Sequence, residues 1–192
     1  MAKPEKDSSS PSASPIFSEA ARILTARMQG LLSHETCLLD ERKVLELHEM
    51  RIGAKRLRYS QELFLPLYET HTRFGANFKA CIKQMKRLQD LLGAIHDADI
   101  TVPRLTTQLE DLLGRACKAD CEEEMAVGVR LVDFDACQGL LTLCIGIREE
   151  REAWFREIVE EWSRLKENRC FEEFLELLVA ADQETSSAPL QS

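Results

Sequence analysis

Residues 48–59 read HEMRIGAKRLRY. His48, Arg51, Lys55 and Arg58 follow one another by three, four and three residues. At about 100° per residue this spacing stacks all four on one face of an α-helix. Leu47, Met50, Ala54, Leu57, Phe64 and Leu65 form an apolar strip on one side of the charges. Leu45, Ile52, Tyr59 and Leu63 form a narrower strip on the other. Glu49, Gly53, Arg56 and Ser60 fall roughly opposite the basic stripe and are expected to face water. Two apolar flanks set the stripe between buried surfaces and turn it from bulk solvent. Like charges in such a place repel unless an anion lies among them. The spacing therefore predicts an anion site or, as the blander alternative, salt bridges to carboxylates of a neighbouring helix.

A second stripe follows about thirty residues on. Residues 78–100 read FKACIKQMKRLQDLLGAIHDADI. Phe78, Ile82, Met85, Leu88, Leu92 and Ile95 give this helix a broad apolar side, and Cys81 fits it as well. Lys79, Lys83, Lys86, Asp90, Gly93 and Asp97 run along one edge of that side. Gly93 leaves the edge open to a close backbone or ligand.

The rest of the chain reads as helix. Residues 1–15 are rich in Ser and Pro and are expected to be a disordered tail. A first helix is expected over about 17–37, with Ala20, Ile23, Leu24, Met28, Leu31 and Leu32 inside. Asp40 is the expected N-cap of the helix carrying the basic stripe, which runs to about Tyr68 with Pro66 in its last turn. The next begins near Thr72, meets a kink or restart at Pro103 and ends near Ala119. A turn over 120–128 leads to a long helix over about 131–167. Leu140, Leu141, Leu143, Cys144, Ile147, Trp154, Phe155, Ile158 and Trp162 form its expected buried side. A short helix over 170–180 precedes a polar tail at 183–192. The fold class is all-α, a bundle of five or six helices forming one domain over 16–182.

Composition limits the functions. Few Gly, Pro and β-branched runs argue against a β-rich fold. No apolar run approaches the roughly 18 residues of a membrane span, and the N-terminal residues have no apolar core of a secretory signal. Seven cysteines, an odd number set mostly within helical patterns, point to reduced thiols in the cytoplasm. Cys117 and Cys121 stand four apart without a second Cys or His pair, so no metal site is expected. Net charge is −8. Residues 42–104 nevertheless carry twelve Lys and Arg against seven Asp and Glu, a net of +5, and the remainder stands at −13. The basic segment is the one that holds both stripes.

The two motifs together resemble a known family. His48-x-x-Arg51-x-x-x-Lys55-Arg56-Leu57-Arg58-Tyr59, then Lys86-x-Leu88-Gln89-x-x-Leu92-Gly93-x-x-His96-Asp97, is similar to the CHAD domain, the conserved histidine α-helical domain. The match covers residues 44–105. The resemblance implies a helical fold with basic residues along a central surface, binding of inorganic polyphosphate, and association with polyphosphate granules. Family members typically hold two helical halves, each with its own basic helix, whereas this chain carries one copy. It is then a minimal form, or two chains associate as a homodimer to complete the basic surface.

The expected polyphosphate-binding residues are His48, Arg51, Lys55, Arg56, Arg58, Lys79, Lys83, Lys86 and His96. Guanidinium groups offer paired donors in fixed geometry, while lysines act as point charges along a polyanion. Arg56 matches the motif yet faces away from the stripe. For His48, a phosphate donor and a structural histidine are equal readings. His96 beside Asp97 reads as a structural link to the stripe rather than an acid–base pair. No catalytic residue, cofactor or metal is expected: there is no carboxylate cluster for metal ions and no Gly-rich phosphate loop. Nucleic acid is disfavoured because no aromatic platform is interleaved with the charges and the net charge repels a duplex. The remaining alternative is a scaffold whose basic stripe is wholly neutralised by its own carboxylates.

Overall fold

The computed structural model describes residues 15–69, 73–119 and 126–187, with side chains at 15, 115–119, 126–133 and 185–187 outside the description. It consists of α1 (Pro15–Leu32), a 3₁₀ turn (Glu35–Leu39), α2 (Val44–Glu69), α3 (Gly75–Ala119), α4 (Ala126–Glu167) and α5 (Cys170–Ser187). No strand occurs among the described residues, and the all-α bundle expected from the sequence is the fold observed. The expected N-terminal tail and the Cys117/Cys121 pair lie outside the described residues or side chains.

Several boundaries differ from the sequence reading. The first helix stops at Leu32, and Glu35–Leu39 forms the separate 3₁₀ turn. Asp40 does not cap α2. It ends that turn, and its carboxylate accepts from the Arg42 amide at 3.1 Å and the Arg42 guanidinium at 2.9 Å. Pro66 is absorbed because it falls within the last turn of α2. Pro103 does not break α3. Its ring removes the bond to the carbonyl four residues back, but the site is exposed, and the Thr101, Thr106 and Thr107 hydroxyls donate to carbonyls around it. α5 runs to Ser187, past the expected end and into the polar segment. Between α4 and α5 the chain reverses through Arg169 at φ 53°, a left-handed residue after the helix end.

One core joins α1, α2, the first half of α3, the last half of α4 and α5. The expected interior of α2 holds: Leu47, Met50, Ala54 and Leu57 are buried. So are Phe78, Met85, Leu88, Leu92 and Ile95 of α3, while Ile82 is half-buried. Four aromatic rings tie four helices together. Tyr68 stacks on Phe78 at 4.3 Å and 8°, Phe17 meets Tyr68 edge-on at 5.6 Å, and Phe174 lies 5.7 Å from Phe78. Burial, then the Asp182 carboxylate, push the Tyr68 hydroxyl up to about 12, so it stays protonated.

α2 and α3 run antiparallel, with His48 beside His96 at one end and Tyr68 on Phe78 at the other. Interpolating between these pairs sets Arg51 about level with Gly93, Lys55 with Asp90 and Arg58 with Lys86. α1 crosses the other side of α2. A Cβ built at Gly53 would lie 3.5 Å from the Leu31 Cα, so the small residue lets the two backbones approach.

Candidate functional site

The basic stripe of α2 does not lie between two buried flanks, as its pattern predicted. Leu45 is 79% exposed, Leu63 72% and Tyr59 48%. Among the described residues no helix covers that row, of which only Ile52 is half-buried, because α1 packs instead over the side marked by Gly53, which was expected to face water. The stripe is therefore an edge: α3 borders it on one side and solvent on the other. Arg51 and His48 are half-buried, Lys55 is exposed, and the Arg58 side chain is 16% exposed.

At one end of this edge three groups converge. His48 Nδ1 and His96 Nδ1 are 3.4 Å apart, and their ring centroids are 4.6 Å apart. Only one of the facing nitrogens can carry the proton of that contact. Burial, then the positive charge of Arg51 and then His48, lower the proton affinity of His96, while Asp97 and Asp99 oppose the shift. For a histidine lowered below its ordinary 6.5, the fold favours the neutral ring. Its contribution to stability is present above pH 6.5 and is lost as pH falls through the folded value. Thermal unfolding between pH 7.5 and 5 is expected to show this loss, and His96→Gln to remove it; an unchanged profile in the variant would assign the acid loss to other groups.

Further along α2, Tyr59 organises two of the cations. The Arg58 guanidinium carbon lies 4.7 Å from the ring centroid and the Lys55 ammonium 5.8 Å. Arg58 Nε is buried and makes no hydrogen bond within the protein. Glu62 is 3.8 Å away, within ion-pair range but too far for a hydrogen bond. The sequence reading placed Tyr59 on the narrower apolar strip; its position four residues after Lys55 and next to Arg58 was the signal available.

On α3, Lys83 and Lys86 are exposed and border a cleft of about 800 Å³ between α3 and α4. Arg87 and Arg164 in the same cleft are engaged by the buried carboxylate of Glu161, and Arg87 also by Glu157. Lys79 sits apart from the rest, paired with Glu69. Arg56 is exposed on the far side of α2. Among the described residues, Arg51, Lys55, Arg56, Lys83 and Lys86 make no ion pair with the protein. A scaffold with every stripe residue neutralised does not fit this pattern. No group of three or more His, Cys, Asp or Glu that could hold a metal is found among the described residues.

Missed by the sequence reading is the clamp beneath the histidine end. Arg151 of α4 donates from Nε to Asp99 of α3 at 2.5 Å and from a terminal nitrogen to the Glu41 carbonyl at 2.7 Å. Both side chains of the Arg151–Asp99 pair are nearly buried, at 14% and 11% exposure. Asp99 stands one turn beyond His96, so α4 fixes the charge that faces the histidine pair from below.

These features define an all-helical protein with a cation-rich edge built by two antiparallel helices. The chain belongs to the CHAD domain family, whose model matches residues 1–106. The match ends within α3, so the second part of that helix, α4 and α5 lie beyond it. Comparison with curated proteins and with solved structures finds no match. Among the described residues no helix is long and apolar enough to cross a membrane.

Proposed function

We propose that this chain is a non-enzymatic binding module for inorganic polyphosphate, acting in the cytoplasm and at polyphosphate granules. The observation that carries the reading is the set of cations without ion pairs on two adjacent helices: Arg51 and Lys55 on the α2 edge, Lys83 and Lys86 where α3 borders the cleft to α4, with Arg58 held against Tyr59. His48 and His96 close one end of the run. Arg51 and Arg58 supply planar paired donors for phosphoryl oxygens, and the lysines add charge without fixed direction. A helix repeats every 5.4 Å, a period unrelated to the spacing of phosphates, so binding tolerates chain length and register. Arg56 and Lys79 contribute least, the first by orientation and the second because Glu69 occupies it. Proton uptake by His96 on binding adds to affinity as pH falls.

Titration with long-chain polyphosphate at two salt concentrations tests the reading. Affinity is expected to fall steeply with salt, as for any polyanion that releases counterions. Arg51→Ala/Lys55→Ala/Arg58→Ala is expected to abolish binding, and Arg56→Ala to leave it nearly intact. Absence of binding at low salt, or undiminished binding by the triple variant, overturns the proposal. RNA is expected to compete poorly for the labelled site. Incubation of polyphosphate with magnesium or manganese is expected to release no phosphate.

A further inference from the structure

The second half of α3 and the first half of α4, the two longest helices, stand outside the core. Among the described residues, none between 99 and 150 belongs to the buried cluster that joins the other helices. Beyond Asp99, Cys144 is the one buried hydrophobic side chain of this arm among the described residues. Its apolar residues are exposed instead: Phe134 66%, Leu141 50%, Leu143 49%, Ile145 48%, Leu113 50% and Ile100 38%. Residues 136–147 contain no charged side chain at all. A helix without charge on any face is built to be covered on more than the side its hairpin partner supplies. Phe134, Leu141 and Ile145 recur by seven and four, the spacing of a helix-packing seam.

We propose that this arm is a homodimer interface, in which the α3/α4 hairpins of two copies dock antiparallel as a four-helix bundle. Two observations select a second copy, the charges that bound the arm and the size of its face. The uncharged run is bounded by Asp135 at one end and Arg148 at the other. Antiparallel docking about the centre of the run brings Asp135 of each copy level with Arg148 of the other, whereas parallel docking sets like charge against like. The size also fits. Some 25 residues of α4 span about 37 Å, and two helices side by side are about 20 Å wide, a face of roughly 700 Å² per copy. A standard stable interface buries about 800 Å² per partner. The inference stands apart from the anion reading and uses none of its residues.

Light scattering after size-exclusion chromatography of the full chain tests it. The expected mass is twice that of the chain at about 10 µM. Leu141→Glu/Ile145→Glu is expected to give monomers of unchanged helicity, since both positions are exposed in the single chain. Asp135→Arg and Arg148→Asp are each expected to weaken the dimer about tenfold, and the two together to restore it. A monomer at about 100 µM overturns the proposal. A dimer that withstands Leu141→Glu/Ile145→Glu, or that ignores the charge exchange, overturns it too.

Discussion

Phe78→Ala is expected to destabilise the protein by about 4 kcal/mol, the upper part of the range for truncating a buried aromatic ring. The ring is fully buried, stacked on Tyr68 and in contact with Phe174, so its loss opens a cavity among three helices at once. Two sources add here: the transfer of the ring from water and the aromatic contacts it makes. For a chain of this length each kcal/mol lowers the midpoint by about 2–4 °C, so a fall of roughly 10 °C is expected in thermal unfolding. Leu45→Ala is the matched control. Its side chain is 79% exposed, and its removal is expected to change stability by less than about 0.5 kcal/mol. A comparable loss in both variants would mean that the row containing Leu45 is buried after all. His96, at the histidine end of the α2/α3 pair, lies about 27 Å from Phe78 along α3, eighteen residues away. Polyphosphate binding by the folded fraction is therefore expected to survive Phe78→Ala.

The contrast between Phe78 and Leu45 shows what was legible in the sequence. Periodicity identifies which residues share a helix face, and the rows Leu47–Met50–Ala54–Leu57 and Phe78–Met85–Leu88–Leu92 are buried as their spacing requires. Periodicity does not say whether a neighbour exists to cover a face. Leu45 and Leu63 were assigned to a second buried flank, and Leu141 and Leu143 to the buried side of α4, on the same evidence. All four are about half or more exposed, because α1 lies on the other side of α2 and because, among the described residues, the first half of α4 contributes nothing to the common core. The site divides in the same way. Stripes on single helices can be found by counting, but His96 lies off the lysine stripe, and its convergence with His48 and Arg51 follows from the packing of α3 on α2. The Arg151–Asp99 clamp joins residues 52 apart, with no periodic relation to either stripe. Only the packing of α4 against α3 reveals it.

That clamp carries the second large effect. Arg151→Met leaves the Asp99 carboxylate nearly buried without its partner and removes the donor to the Glu41 carbonyl. Removing one member of a buried pair costs more than removing both, because the remaining charge stays desolvated. A loss of about 3 kcal/mol is expected from Arg151→Met in chemical denaturation, and Arg151→Met/Asp99→Leu is expected to recover most of it. The same change reaches the candidate site by a second route. Asp99 raises the proton affinity of His96, against burial, Arg51 and His48, which lower it. With Arg151 gone, the uncompensated carboxylate acts on the imidazole more strongly, and the His96 titration is expected to move to higher pH. In the double variant the carboxylate is absent and the titration is expected to move lower. Proton resonances of the His96 ring across pH 5–8 read this directly. Polyphosphate affinity at pH 7 should follow the same order, strongest where His96 is most readily protonated, if the histidine end takes part in binding. Stability loss without any movement of the His96 titration would confine the clamp to a structural role and separate α4 from the electrostatics of the α2/α3 edge.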